Sequence, residues 1–568
     1  MPGLKFNQFG GMLPRANPVS RSSQVAAMAL DVNLDQGTLS PWRERLVVST
    51  ATQGTEVLSF AQVDCCWLTS EACVKFVVPW PSCRFVVRAG AGAPFYASFE
   101  NACADDWCPL GIPCPSEAPA AFATDPPVGA YPPTTARKDF ETRHYRYAWV
   151  NVYGHESGGS APSAFVNTFD GSPVTVYLPN PPPGYCIDRL RLYRTGTPLE
   201  SGGEKTNPPN TEWFLVEELP VGVNVYSDGR PNIDLLLGQS ANATFHGDER
   251  LPAPDDLTSV VTLENGMMAG ISPSTNMIVF SEPFLPTSWP MRYRKTLWQD
   301  DVPVALSAIG PALYVATTGH PYTITVQQQQ QDGRHGVFRH RESLPCISAR
   351  SFVAGSGACY YASHDGLVAL SATQARVISE TVMSKRQWQS WRPNRLLGVV
   401  HDGHYFGFSD PLDSDLAESG VHGFRLKTAE SEHADAETAT LTVLSDNPDA
   451  VWLSDRGGLY MVEDGIVSKW NAGAALRPYL WRNTTFYWAR RTALGAGYVT
   501  LGEPGPVMLT VLTDRGNHVQ TILGGRVFRM PNWMSVADTQ IELTGTGEVA
   551  EFVLGTSYKE AFRAGANV

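Results

Sequence analysis

The chain has 568 residues, 43% of them hydrophobic and only 17% charged, a composition that excludes a disordered protein and is too long for a single core, so two to four domains are expected. A formal net charge of -13 excludes a surface built to coat DNA or adhere to a membrane, because both need clustered Lys and Arg. It still allows DNA to slide past without sticking. The 50 Gly and 43 Pro are scattered through the chain, which suits short strands joined by tight turns, with little helix.

Met1 to Gly11 has no apolar core of signal-peptide length, and no stretch reaches the roughly 18 uncharged apolar residues that span a bilayer. The expectation is a soluble chain made in a cytoplasm. An extended arm, Phe6 to Pro18, precedes an amphipathic stretch from Ser23 to Leu30 and two runs that read as strands, Arg45 to Thr50 and Cys83 to Arg88. Seven of the ten cysteines, Cys65, Cys66, Cys73, Cys83, Cys103, Cys108 and Cys114, crowd into fifty residues. They form no C-x-x-C pair and no His lies among them, so buried thiols, disulfides and structural zinc stay open in that order. Pro109 to Pro133, rich in Pro and Ala, reads as a linker or long loop that ends a first region, 1–140.

From Tyr145-Arg-Tyr-Ala-Trp-Val-Asn-Val-Tyr153 the pattern is a strand, a turn from Gly154 to Ser163, and strands near Val174, Ile187, Trp213 and Val225. About ninety residues with strand signals every ten or so read as a small β-sandwich over 141–240. This block resembles a fibronectin type III module in its Tyr-x-Tyr-x-x-Val-Asn opening, its Gly-x-Glu-Ser turn and its Pro-Ser, and it looks inserted between segments of another domain.

That domain occupies 241–500 and is marked by repetition. Met267–Phe280, Leu313–Gly319, Tyr360–Gly366, Tyr405–Asp410 and Val451–Gly457 recur at steps of 46, 47, 45 and 46 residues, each an apolar run followed by a polar turn. That is the period of a β-propeller blade, and a blade buries its faces only against neighbours. Strands near Pro506, Thr539 and Val549 fill 501–568, and an N-terminal strand pairing with this tail is the expected way to close a ring. The fold class is therefore all-β, a β-propeller with an inserted fibronectin type III/Ig-like β-sandwich.

No reaction is specified. The H-E-x-x-H, phosphate-loop and G-x-S-x-G patterns are absent, and Ser363-His-Asp-Gly366 and Ser454-Asp-Arg-Gly457 only imitate the sialidase S-x-D-x-G-x-x-W turn, so both read as hairpin turns. Asp105-Asp106, Asp255-Asp256 and Asp300-Asp301 could pair as acid and base, but neighbouring acids on a strand point to opposite faces and solvated turns are the simpler reading. Gln327 to Gln331 and Arg334 to Arg341 make one basic stretch, read as a solvated loop or a contact for phosphate or an acidic partner. Lys385-Arg-Gln-Trp-Gln-Ser-Trp-Arg392 interleaves cations with Trp388 and Trp391, which suits stacking on sugars or bases as well as it suits packing. No catalytic, cofactor-binding or metal residue is assigned.

Phe6-Asn-Gln-Phe-Gly-Gly-Met-Leu-Pro-Arg15, Gln24-Val-Ala-x-x-x-Leu-Asp-Val-Asn33 and Gly37-x-Leu-x-Pro-Trp42 resemble the opening of the tail nozzle, or tail tubular protein B, group of short-tailed bacteriophages. Phe280 to Pro290, Thr317 to Tyr322, Cys346 to Ser351 and Ser363 to Val368 are similar to the same group's blade motifs. The cysteine-dense stretch and the sandwich depart from what need be general there. The resemblance implies a non-enzymatic virion protein in a ring of subunits, commonly six, fixed below the portal and adaptor, contacting tail fibres or spikes, and conducting genomic DNA during ejection. It would be assembled in the host cytoplasm and need neither cofactor nor membrane insertion. A receptor- or glycan-binding propeller at the tail tip is the alternative.

Overall fold

The computed structural model describes residues 3–16, 24–50, 57–64, 66–124, 140–196, 212–236, 250–326, 336–355, 357–428, 441–531 and 534–565. The chain forms two compact units, one of Met1–Cys73, Gln299–Thr325 and Val337–Val568, the other of Val74–Trp298 and Val326–Gly336. The fold is all-β with many small sheets. Cys65, Gln327 to Gln331, Arg334 and part of the Pro109 to Pro133 segment lie outside the described residues.

In the first unit, antiparallel four-stranded sheets follow one another along the chain. One consists of Pro303–Ile309, Ala312–Thr317, Tyr322–Thr325 and Gly336–Arg339, the next of Val353–Ala354, Cys359–Ala362, Leu367–Leu370 and Ala375–Val377. Leu397–His401, His404–Phe408, Gly423–Lys427 and Leu441–Leu444 follow as one end of a ten-stranded sheet that runs on through Ala26–Leu30, Tyr479–Asn483 and Ser535–Gly545. Central strands such as Cys359–Ala362 and Leu367–Leu370 are buried at every position, which is why they read as unbroken apolar runs rather than alternating ones.

The fourth sheet takes Ala450–Leu453, Leu459–Glu463 and Ile466–Lys469 from late in the chain and Leu46–Thr50 from its beginning. The expected pairing of an N-terminal strand with the tail is also present, with Gly3–Phe6 antiparallel to Val549–Gly555. One repeat copy sits elsewhere than its interval implies. Leu313, Tyr360 and Tyr405 lie on second strands of their sheets, whereas Val451 lies on a first strand, and the corresponding second strand starts at Leu459, 55 residues after His404. The interval tracked hairpin turns, which any antiparallel pair builds from Ser, Asp and Gly. Gly457 (φ 75°) supplies the left-handed residue of that turn.

The second unit holds the sheet Lys75–Val77, Phe85–Ala89, Phe95–Ser98 and Cys108–Pro109, and the sheet Thr258–Thr262, Met268–Ser272, Met277–Phe280 and Lys295–Thr296. Between them in sequence, Tyr145–Asn151, Ile187–Thr195 and Trp213–Pro220 form one sheet, and Ala120–Ala123, Val174–Tyr177 and Val225–Asp228 another. The two share a core of Tyr145, Tyr147, Trp149, Val174, Leu192 and Val216. Alternation along Tyr-x-Tyr-x-Trp points all three rings inward. The linker reading of Pro109 to Pro133 is corrected here, because Ala120–Ala123 is a strand paired with Val174–Tyr177 across some fifty residues.

The segment from Gly154 to Ser163 is more than a turn. Ser157, Ser160 and Ser163 donate their N–H groups to the carbonyls of Trp149, Tyr147 and Tyr145 at 2.8–2.9 Å, and each hydroxyl oxygen accepts the N–H of the same strand residue at 3.0–3.2 Å. The open edge of the strand is thereby saturated without a second strand. Beneath it, two arginines and two acids are buried in balance. Arg194 Nη1 and Tyr145 Oη donate to Asp228 Oδ2 at 2.7 and 2.8 Å, and Arg143 pairs with Glu141.

Candidate functional site

The N-terminal segments singled out above meet later strands of the first unit. Phe9 N donates to Gly37 O (2.9 Å), Gly10 N to Gln24 O (2.8 Å) and Met12 N to Leu441 O (2.8 Å), while Arg15 N donates to Val382 O (2.9 Å). Gly10 O accepts the Trp481 indole N–H at 3.1 Å, and Pro14 O accepts the Gln387 amide at 2.9 Å. A Cβ on Gly10 would stand 3.0 Å from Gln24 O, so the second residue of Phe-Gly-Gly is small because backbone passes against backbone. Phe6 and Phe9 are buried and meet the Trp481 ring edge to face at 5.6 and 5.1 Å. The arm is therefore packed against the fold from Phe6 to Pro14, and its last residues, Asn17 and Pro18, lie outside the described residues.

The two following motifs serve the same seam. Asp31 accepts from Ser445 N at 3.1 Å, and Arg477 spans both oxygens of Asp446 at 2.8 and 2.9 Å while also reaching Asp31. Burial raises the Asp31 carboxyl above its ordinary range, against the pull of Ser445 and Arg477. Leu39 exchanges both backbone hydrogen bonds with Val549, Trp42 O accepts from Arg477 N, and the Trp42 ring lies 4.8 Å from that of Trp470.

Lys385–Ser390 is a helix opened by a capping box, in which Ser384 accepts from Gln387 N and Gln387 Oε1 accepts from Ser384 N. It packs on the turn Ser363 to Gly366, with Trp388 Nε1 donating to Ser363 O at 2.8 Å and Lys385 pairing with Asp365. Trp388 and Trp391 are 1% and 3% exposed, and Trp391 packs on Phe424 at 5.0 Å. Trp388 on the helix and Trp391 at its C-cap are both core residues, which removes the stacking role. Both sialidase-like turns are hairpin turns, closed by Ser363 N to Gly366 O and Ser454 N to Gly458 O, each 2.9 Å.

Asp301, read as half of a solvated acid pair, is buried, while Asp300 is exposed. Its carboxylate accepts from Arg339 Nε (2.7 Å), Tyr322 Oη (2.6 Å) and His320 N (2.9 Å). Burial opposes the charge, yet these donors hold the carboxyl well below the usual range. Arg339 Nη2 also reaches His320 Nδ1 at 2.7 Å. His320 Nδ1 also lies 3.3 Å from Asp301 Oδ1. The cluster ties Tyr322–Thr325 and Gly336–Arg339 to the chain just before Pro303–Ile309. Within the basic stretch, Arg339 is thus committed to Asp301, and His340, buried and lowered in pKa by that burial, meets Thr323 Oγ1 at 2.9 Å. Asp256 caps a turn through Ser272 Oγ (2.9 Å) and Ser274 N (2.7 Å), and Asp105 and Asp106 are exposed and bonded to Trp107 and Asn101.

Cys108 and Cys186 form a disulfide, and Cys66 and Cys103 are also disulfide-bonded, so of the seven crowded cysteines the preference for thiols holds for Cys73, Cys83 and Cys114. The Cys346 thiol is pushed up to about 12 by burial. Among the described residues no group of three or more His, Cys, Asp or Glu is placed to hold a metal ion, and no helix is long and apolar enough to cross a membrane.

No family model matches the chain, and no curated protein does. Solved structures similar to it include a virginiamycin B lyase from Staphylococcus aureus (9% identity, covering 61% of this chain and 94% of that one, TM-score 0.25). PorZ, a surface component of the type-IX secretion system of Porphyromonas gingivalis, is similar at 10% identity over 82% of this chain and 72% of that one, with a TM-score of 0.26. The AfRom2 CNH domain is similar at 7% identity over 62% and 94%, with a TM-score of 0.24. At these values no property of those proteins transfers to this chain.

Proposed function

We propose that the protein is a structural component of a bacteriophage tail, of the nozzle or tail-tube kind, whose copies associate in a ring below the portal and adaptor and let genomic DNA pass. The successive sheets of the first unit are then propeller blades, and the block 141–240, with Ala120–Ala123 added to its edge, is a fibronectin type III-like sandwich. The observation that carries the reading is the seam, because the stretches resembling the nozzle group's opening are the ones that tie the chain's beginning into Leu441–Leu444, Tyr479–Asn483 and Val549–Gly555. The work is association and passage rather than catalysis. A net charge of -13 favours it, since carboxylates facing a channel repel phosphate.

Negative-stain electron microscopy of the purified protein, alone and mixed with tail-less phage particles, tests this. Rings with an open centre or added density at the portal vertex are expected. Single particles that never dock would reject it. The tail-tip binding alternative retains one specific support, Phe122 and Tyr177, which are exposed with rings 6.0 Å apart on the sandwich's three-stranded sheet. Host-cell binding abolished by Phe122→Ala with Tyr177→Ala would move that reading ahead.

A further inference from the structure

Two sheet-ending strands of the first unit lack the usual protection of an open edge. Among the described residues Leu46–Thr50 pairs with Ile466–Lys469 alone and Gly516–Ile522 with Val507–Thr513 alone. Natural edges are guarded by charge, proline or a covering element. Leu46-Val-Val-Ser-Thr50 and Gly516-Asn-His-Val-Gln-Thr-Ile522 contain no Asp, Glu, Lys, Arg or Pro. Leu46, Val47 and Val48 are exposed in succession, so both faces of that strand are open, and Val519 is exposed on the other, with Leu523 exposed just beyond its end. Several other sheet-ending strands of the same unit either carry a charge, as Gly3–Phe6 does in Lys5 and Val527–Arg529 in Arg529, or are uncharged but mostly buried, as Leu397–His401 and Ser59–Val63 are.

We propose that these two edges pair with each other between copies of this chain, Leu46–Thr50 of one against Gly516–Ile522 of the next. Each supplies the row of N–H and C=O groups that the other lacks, and the five-residue strand fits within the seven-residue one. The occupant is a second copy because one chain carries both halves. Copies of net charge -13 repel one another wherever carboxylates meet, and these are two uncharged strips where they do not. Pairing two different patches is a head-to-tail contact, the kind that closes into a ring, whereas an edge pairing with itself stops at a dimer. The inference rests on the ring reading above and names its contact.

Val47→Lys and Val519→Lys place a charge on each edge at positions 59% and 57% exposed, where folding should be unaffected, with thermal unfolding as the check. By analytical ultracentrifugation the parent should sediment as a ring and each variant as a monomer. An equimolar mixture of the two variants should give dimers and nothing larger, because each contributes its one intact edge. Rings from both variants would overturn the edge pairing and leave the ring reading standing. Normal rings from Val519→Lys alone would likewise overturn it in favour of a contact without that edge. A parent that stays monomeric at all concentrations would overturn both. Should either lysine variant misfold, Val47→Cys with Val519→Cys in one chain should yield reductant-reversible oligomers absent from the single variants, and no such ladder would reject the pairing.

Discussion

Phe9→Ala separates a structural seam from a free docking arm. Phe9 is 3% exposed, stacked on Phe6 with centroids 6.2 Å apart and set edge to face on Trp481 at 5.1 Å. Removing a buried phenylalanine ring costs about 3–5 kcal/mol, and that range already contains the roughly 0.5–1.5 kcal/mol that a good aromatic pair adds. A loss of about 4 kcal/mol, at a urea m-value of about 3 kcal/mol per molar, lowers the unfolding midpoint by roughly 1.3 M. Two compact units argue for fitting two transitions, and the transition of the unit containing Val74–Trp298 serves as internal control. The first unit's transition should move and the other should stay. A loss below about 1 kcal/mol would refute the seam, since only a ring that is solvated in the monomer can be deleted so cheaply.

Trp388→Ala should cost the monomer about 3–5 kcal/mol by urea unfolding, because it removes a buried indole and strands the carbonyl of Ser363. Lost ligand binding with unchanged stability would contradict that. Cys108→Ser with Cys186→Ser opens a link spanning 78 residues, for which the loop-entropy relation gives about 4.5 kcal/mol, measurable as a lower midpoint for the second unit; a change under about 1 kcal/mol would rule out the bond as a stabiliser. His155, His340 and His404 have pKa values lowered by burial, with Arg425 adding to the effect at His404. The unfolded chain therefore binds more protons below its ordinary histidine pKa near 6.5, and stability should fall as pH drops from about 7 towards 5. Midpoints that rise or stay level over that interval would contradict the assignment.

The hairpins and the strands between Tyr145 and Asp228 were legible because each is written locally, in alternation or in Gly-bearing turns, and the pairing of the chain's two ends followed from the general need to cover a strand edge. What escaped was set by partners distant in sequence. Asp301 is buried because Tyr322 and Arg339 come to it from two later strands, and nothing beside Asp300 announces them. Ala120–Ala123 has the composition of a linker and becomes a strand because Val174–Tyr177 offers it an edge. Trp388 is different. The capping box Ser384 to Gln387 was present as a signal, and reading it would have placed Trp388 on a helix and Trp391 at its C-cap instead of interleaved with cations.

The three serines along Tyr145–Asn151 also restrict how this part of the chain can change. Each seat on the strand edge is two strand residues from the next, and the chain reaches it after three of its own, so the segment works as a ruler with a fixed division. Adding or removing one residue between Ser157 and Ser163 would put a side chain without a hydroxyl at the next seat and bare a strand residue's N–H and C=O. Length variation there should come in threes that end on serine, although the segment has neither helix nor strand to enforce it.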